Sequence, residues 1–175
     1  MATATVDTRT TATQAWVRAG VIGGIIAGIV FAMFEMIMAA ALNGSDAFFM
    51  PLRMIGGMGL GATALDPSTS LLTAGTVGLV IHMVLSMMYG LVVAGVLALV
   101  GSLTRSTSSI LMVTSASGFA LWIINFFVLA GLFGWRWFPD SQNIAVQFVA
   151  HTFMFGVVLG LILDRFAFHA GSQRA

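Results

Sequence analysis

Four uninterrupted apolar runs dominate the chain, at 21–42, 71–100, 110–133 and 144–163. Each can cross the hydrocarbon core of a bilayer, which takes about 20 mostly apolar residues in a helix. A transmembrane barrel would instead show short alternating strands, so the runs read as helices that satisfy their own backbone groups. The second run exceeds what a span requires and is expected to tilt or project. Composition agrees, with 59% apolar and 7% charged residues against about 45–50% and about 25% in soluble proteins. The expected fold is an all-α integral membrane protein, a four-transmembrane-helix bundle in contact with the lipid bilayer.

Composition also excludes function classes. Seven arginines, no lysine and six acids leave a net charge of +1 with no basic cluster, so no nucleic-acid partner is expected. Without cysteine there is no disulfide, thiolate metal site or thiol catalysis. No HExxH, GxSxG or clustered acid pair marks a hydrolase, and whether the chain is an enzyme stays open.

Residues 1–20 read as a polar, mobile tail, 21–165 as one membrane domain and 166–175 as a C-terminal tail holding His169. A signal peptide ending near Ala39–Ala41 competes for the first run, but the run is long for one and carries Glu35. Arg9, Arg18, Arg105, Arg165 and Arg174 fall on one side of the spans, Arg53 and Arg136 on the other. That bias predicts a multi-pass protein of the cell (inner) membrane with both termini cytoplasmic. Trp135, Trp137 and Phe138 would form an outer aromatic belt, and Trp16 an inner one. Between the first two spans, the segment around Pro51 suggests a short interfacial helix, followed by a flexible glycine-rich stretch, 56–61. That stretch lacks the lysine of a phosphate-binding loop.

The two halves look alike. Gly28, Glu35 and Gly44 recur at the same spacing as Gly118, Asn125 and Gly134, and the next span in each half carries a histidine, His82 or His151. Two hairpins running in the same direction would be related by a pseudo-twofold axis along the membrane normal.

The strongly polar side chains of the spans are Glu35, His82, Asn125 and His151. Counted at 1.5 Å per residue from the loops, they lie within about one turn of a common depth. Helical periodicity puts Gly24, Gly28 and Glu35 on one face of the first span, and Gly75, Gly78, His82, Ser86 and Tyr89 on one face of the second. Thr114, Gly118 and Asn125 share a face of the third, Gln147 and His151 a face of the fourth. Small and polar residues mark helix–helix contacts in lipid. An ionised carboxylate at mid-bilayer costs about 2.5–3.5 kcal/mol or more, so Glu35 is expected to be protonated, paired with a cationic histidine or bound to a metal. Met33, Met36, Met38, Met83 and Met154 lie near the layer; thioethers suit Cu(I), but methionine is also ordinary filler.

The runs from His82 to Tyr89-Gly90 and from His151 to Phe155-Gly156 and Gly160 resemble a broad group of small four-span bacterial and archaeal membrane proteins. These have a similar H…YG motif in the second span and H…YG…LG in the fourth. The resemblance implies a fold and no activity.

Three functions fit these residues. A cofactor bundle would use His82 and His151 as axial ligands of haem b, or Glu35, His82 and His151 around one transition-metal ion, with Asn125, Ser86, Tyr89 and Gln147 behind them. A translocating protein would pass protons or a cation through the layer. A structural subunit would need no cofactor; Glu35 would pair with a histidine to hold a glycine-striped bundle that belongs to a homo-oligomer or a larger membrane complex.

Overall fold

The computed structural model describes the backbone of residues 3–168 and the side chains of residues 14–167. Its helices are α1 (Thr3–Asn43), α2 (Met50–Leu60), α3 (Leu71–Leu99), α4 (Thr107–Phe133), α5 (Trp137–Ser141) and α6 (Ile144–Ala167), and no strand occurs among the described residues. Four of them, α1 from Gln14 onward, α3, α4 and α6, are long and apolar enough to cross a membrane. Large apolar side chains such as Leu72, Val80, Val84, Met112 and Leu132 point outward, as lipid contact requires. The chain is a multi-pass, all-α membrane protein.

Two local expectations are corrected. The helix of the first span begins at Thr3, not near residue 20. No glycine or proline interrupts residues 3–19, and once nucleated a helix gains one hydrogen bond per added residue. Residues 1–2 and 169–175, His169 included, lie outside the described residues. Likewise, Gly56–Leu60 is not a flexible stretch but the second half of α2, with Gly56 and Gly57 buried.

Those glycines are packing surfaces. A Cβ on Gly56 would strike the Ala74 carbonyl of α3, and one on Gly78 would strike the Leu52 carbonyl of α2. Gly78 therefore serves α2 and not the contact with α1. A Cβ on Gly57 would lie 2.9 Å from the Trp137 ring, whose indole N–H donates to the Met54 carbonyl at 3.0 Å. Trp137, expected in an aromatic belt, instead pins α5 to α2. Arg53 of α2 donates to the carbonyls of Ala64 (2.9 Å) and Thr69 (2.8 Å), which gathers the segment leading into α3. In the same segment the Ser68 amide donates to Asp66, which holds that carboxyl below its usual range.

The spans pair as two hairpins, α1 with α3 and α4 with α6. Both crossings bring backbone against backbone. A Cβ on Gly90 would lie 2.7 Å from the Gly24 Cα, and one on Gly156 the same distance from the Thr114 carbonyl oxygen. The repeat has a second structural counterpart, since α1 and α4 are each followed by a glycine of positive φ, Gly44 at 92° and Gly134 at 71°.

The hairpins join along α1 and α6, where Gly23 meets Leu159 and Ile162. A twofold-related contact between α3 and α4 would match it, but those helices barely touch. Toward the end bearing α2 and α5 (the loop end), these two helices cap the gap. Toward the other (terminal) end the core closes on Leu97, Ile110, Leu159 and Leu163, each exposed by 1% or less.

Candidate functional site: a polar cavity between the hairpins

The gap between α3 and α4 opens into a cavity of about 280 Å³. Glu35, His82, Asn125 and His151, one from each span, all line it, as do Ser86, Tyr89 and Gln147. The remaining wall is mainly apolar and aromatic, with Phe31, Phe126 and Phe155 beside the histidines.

Each polar side chain is held differently. His82 reaches across its hairpin, and its Nε2–H donates to the Gly28 carbonyl at 2.8 Å. This contact needs glycines, because a Cβ on Gly28 would lie 2.6 Å from Ser86 of the neighbouring turn. His151 turns to its own helix, where Nδ1–H donates to the Gln147 carbonyl at 2.8 Å. A carbonyl can only accept, so these bonds fix both tautomers. In each neutral ring the other nitrogen is an acceptor, Nδ1 on His82 and Nε2 on His151. Phe31 sits between the imidazoles, 5.3 Å from His82 and edge-on to His151 at 4.7 Å. Phe126 approaches His151 from another side at 5.7 Å.

Tyr89 bridges the gap itself, its hydroxyl donating to Asn125 Oδ1 at 3.2 Å. Glu35 is 4% exposed. The Gln147 side chain lies beside its carboxyl, yet Oε1 is buried without a partner. Two other buried polar atoms among the described residues lack partners, Trp122 Nε1 and Thr152 Oγ1, but neither residue lines the cavity.

Gln147 also donates to Gln142 Oε1. Both glutamines line a second cavity of about 370 Å³ at the loop end, between α1, α2 and the start of α6. The pair thus forms a shared wall between that vestibule and the buried Glu35.

Backbone irregularity coincides with the site. Asn125 lies in a π-helical stretch, Ile124–Leu129, and His151 in another, Ala150–Val157. Such i→i+5 turns re-aim side chains and are frequent at functional sites. Both belong to the second hairpin, so they also explain why the two histidines are not held alike despite the repeat.

Among the described residues no group of three or more His, Cys, Asp or Glu side chains is placed to hold a metal ion. Glu35, His82 and His151 share a cavity but not a coordination point. None of Met33, Met36, Met38, Met83 and Met154 lines it; the methionines that do are Met58 and Met88. Sequence reasoning missed Phe31 and Gln142. Phe31 was within reach, one turn before Glu35 on the same helix face. Gln142 was not, since it stands outside the fourth span in the turn between α5 and α6.

Comparison with family models, with curated proteins and with solved structures returns no match. The class is set by the fold alone: a multi-pass membrane protein built as a four-helix bundle.

Proposed function

We propose that the protein is an intramembrane binding protein, which holds a ligand or cofactor of the bilayer phase against the Glu35–His82–Asn125–His151 layer. One observation carries this reading. Four polar side chains from four separate spans line a single cavity, and one of them ends in a buried oxygen with no partner. A carboxyl oxygen left unpaired in a low-dielectric interior is costly, and a ligand that donates to it relieves the cost.

Haem fits the donor set on one side. His151 offers Nε2 with Nδ1 already oriented by a carbonyl, the usual arrangement of a ligating imidazole. His82 would have to release the Gly28 carbonyl to offer its own Nε2. A bare ion ligated by Glu35, His82 and His151 has less support, because these residues do not converge.

Translocation of protons or a cation is favoured at one end only. The Gln142–Gln147 pair leads from the vestibule to Glu35, whereas the opposite end is closed by Leu97, Ile110 and Leu159.

The test is a gentle purification followed by mass spectrometry of an organic extract, an absorption spectrum and elemental analysis. Near-stoichiometric recovery of one lipophilic compound, reduced in a His151→Leu variant, is the expected result. Iron with a haem spectrum that vanishes in the same variant would select the haem form. Protein that binds no lipophilic compound under any condition would overturn the reading.

A further inference from the structure

The chemistry of the cavity specifies its ligand more closely, on the reading that the cavity is a binding site. The first constraint is charge. No arginine lines the cavity, and the chain has no lysine. Both imidazoles are neutral, their N–H groups donating to carbonyls, and no cation stands on the wall to keep Glu35 ionised. The polar groups of the wall are thus uncharged. A phosphate, carboxylate or ammonium head would enter a low-dielectric space with no counter-charge, which burial penalises heavily.

The second constraint is hydrogen-bonding polarity, which is mixed. His151 Nε2 and His82 Nδ1 are acceptors without a partner in the bonds described above. The Asn125 amide, the Ser86 hydroxyl and the Trp135 indole N–H also line the cavity and are donors that those bonds do not engage. Two of these groups are set in advance. Nδ1 of His151 is tied to the Gln147 carbonyl, which leaves Nε2 as the acceptor. The Tyr89 hydroxyl occupies Asn125 Oδ1, which leaves the amide nitrogen to donate. A matching ligand donates to the first and accepts from the second.

The third constraint is how few such groups there are. The wall is otherwise apolar and aromatic, so a sugar or other polyol would bury hydroxyls without partners, each at a cost. A single hydroxyl donates and accepts through one oxygen. An apolar cavity of about 150 Å³ admits benzene, so about 280 Å³ admits a hydroxyl and the carbons that bear it. Access is the fourth constraint. Leu85 and Met88 of α3 face Leu121 and Leu129 of α4 where those helices barely touch, and Met88 is exposed toward lipid. A tail has a lateral way out there.

We infer that the cavity binds the head of a tailed lipid alcohol. Its hydroxyl donates to His151 Nε2 and accepts from the Asn125 amide, and its tail leaves between α3 and α4. A tailed ether or ester accepts only and leaves His151 unmatched.

The experiment titrates the detergent-purified full chain by calorimetry, at neutral pH, with ligands of one tail: 1-decanol, its methyl ether, decanoate and decylammonium, each expressed per mole of detergent. Decanol is expected to bind about fivefold more tightly than the ether, the value of one neutral hydrogen bond, and at least about tenfold more tightly than either ion. His151→Phe should shrink the alcohol-to-ether ratio to about twofold or less, because the acceptor is gone. Asn125→Leu should weaken alcohol and ether alike, by about fivefold each, because both accept. Each ratio is read within one variant, so a change in stability does not imitate it. Met88→Trp tests access separately. It should weaken decanol more than the tail-less cyclohexanol while leaving the fold intact, since residue 88 faces outward.

Binding of the ether or of either ion as tightly as decanol by the wild-type chain would overturn the inference, as would an alcohol-to-ether ratio unchanged in His151→Phe. If that variant does not fold, Asn125→Leu decides alone, and unchanged affinities there overturn the inference. If another lipophilic compound co-purifies and decanol does not bind, the inference fails and the binding-protein reading stands. If nothing binds, both fail.

Discussion

The two seams between the hairpins should be equivalent if the repeat were complete, yet one is a core and the other a cavity. Along α1 and α6, Gly23 accepts Leu159 and Ile162 in close contact. Between α3 and α4 the direct link described is one hydrogen bond from Tyr89 to Asn125, and the polar layer faces the space left open. The difference traces to α2, which has no full counterpart in the second half. It packs on α3 through Gly56 and Gly78 and reaches α5 through Gly57 and Trp137, filling the loop-end part of the seam that α4 would otherwise close. Similar hairpins thus build a packed interface or a binding cavity, depending on what stands between them.

The largest expected effect comes from closing the difference by force at the packed seam. Gly23→Leu places a side chain where a Cβ alone would lie 2.9 Å from Leu159. Overpacking of this kind costs about 1–3 kcal/mol, and the detergent melting temperature should drop accordingly. Val128→Leu on the lipid face of α4 should leave the melting temperature unchanged.

Next comes Glu35→Leu, which acts with opposite sign on stability and on binding. Removing a carboxyl whose Oε1 is buried without a partner should stabilise the ligand-free protein by about 1–3 kcal/mol, measured by reversible unfolding in mixed micelles. The same variant should retain less of the lipophilic compound that co-purifies with the wild-type chain. A destabilised variant would mean that Glu35 is already satisfied within the bundle.

Arg53→Gln removes the donors that gather the segment between α2 and α3. With α2 loosened, the open seam should become more accessible, and proteolysis between α2 and α3 should speed up several-fold. Tyr89→Phe has the smallest expected effect. An interhelical hydrogen bond in a membrane protein averages about 0.6 kcal/mol, so stability should barely change. The distance distribution between spin labels on α3 and α4 should nevertheless broaden, whereas labels on α1 and α6 should not respond.

The sequence carried the spans well, because a bilayer imposes length and apolarity on each helix independently of its neighbours. Gly44 and Gly134, which follow α1 and α4 at positive φ, were legible only as matching positions of the repeat. The meeting of Glu35, His82, Asn125 and His151 was legible too, since depth follows from residue counting and facing from helical period. Other features depend on partners distant in sequence. That Gly56 and Gly78 hold α2 against α3 cannot be read from either segment alone, and an apolar glycine-rich run looks the same whether flexible or packed. The π-helical turns at Asn125 and His151 leave no sequence mark comparable to a proline or a cap. The metal triad seemed plausible because a shared depth constrains only one coordinate; position around the bundle axis decides whether ligands converge.

The gap between α3 and α4 changes how affinity at this site has to be expressed. A ligand arriving sideways is drawn from the membrane, and each methylene of its tail favours that phase by about 0.8 kcal/mol, close to fourfold in partition. Lengthening the tail fills the site at lower aqueous concentration even when the protein touches only the head. The constant that characterises the protein is therefore a mole fraction in lipid, and homologous ligands differing only in tail length should collapse onto one curve when plotted that way.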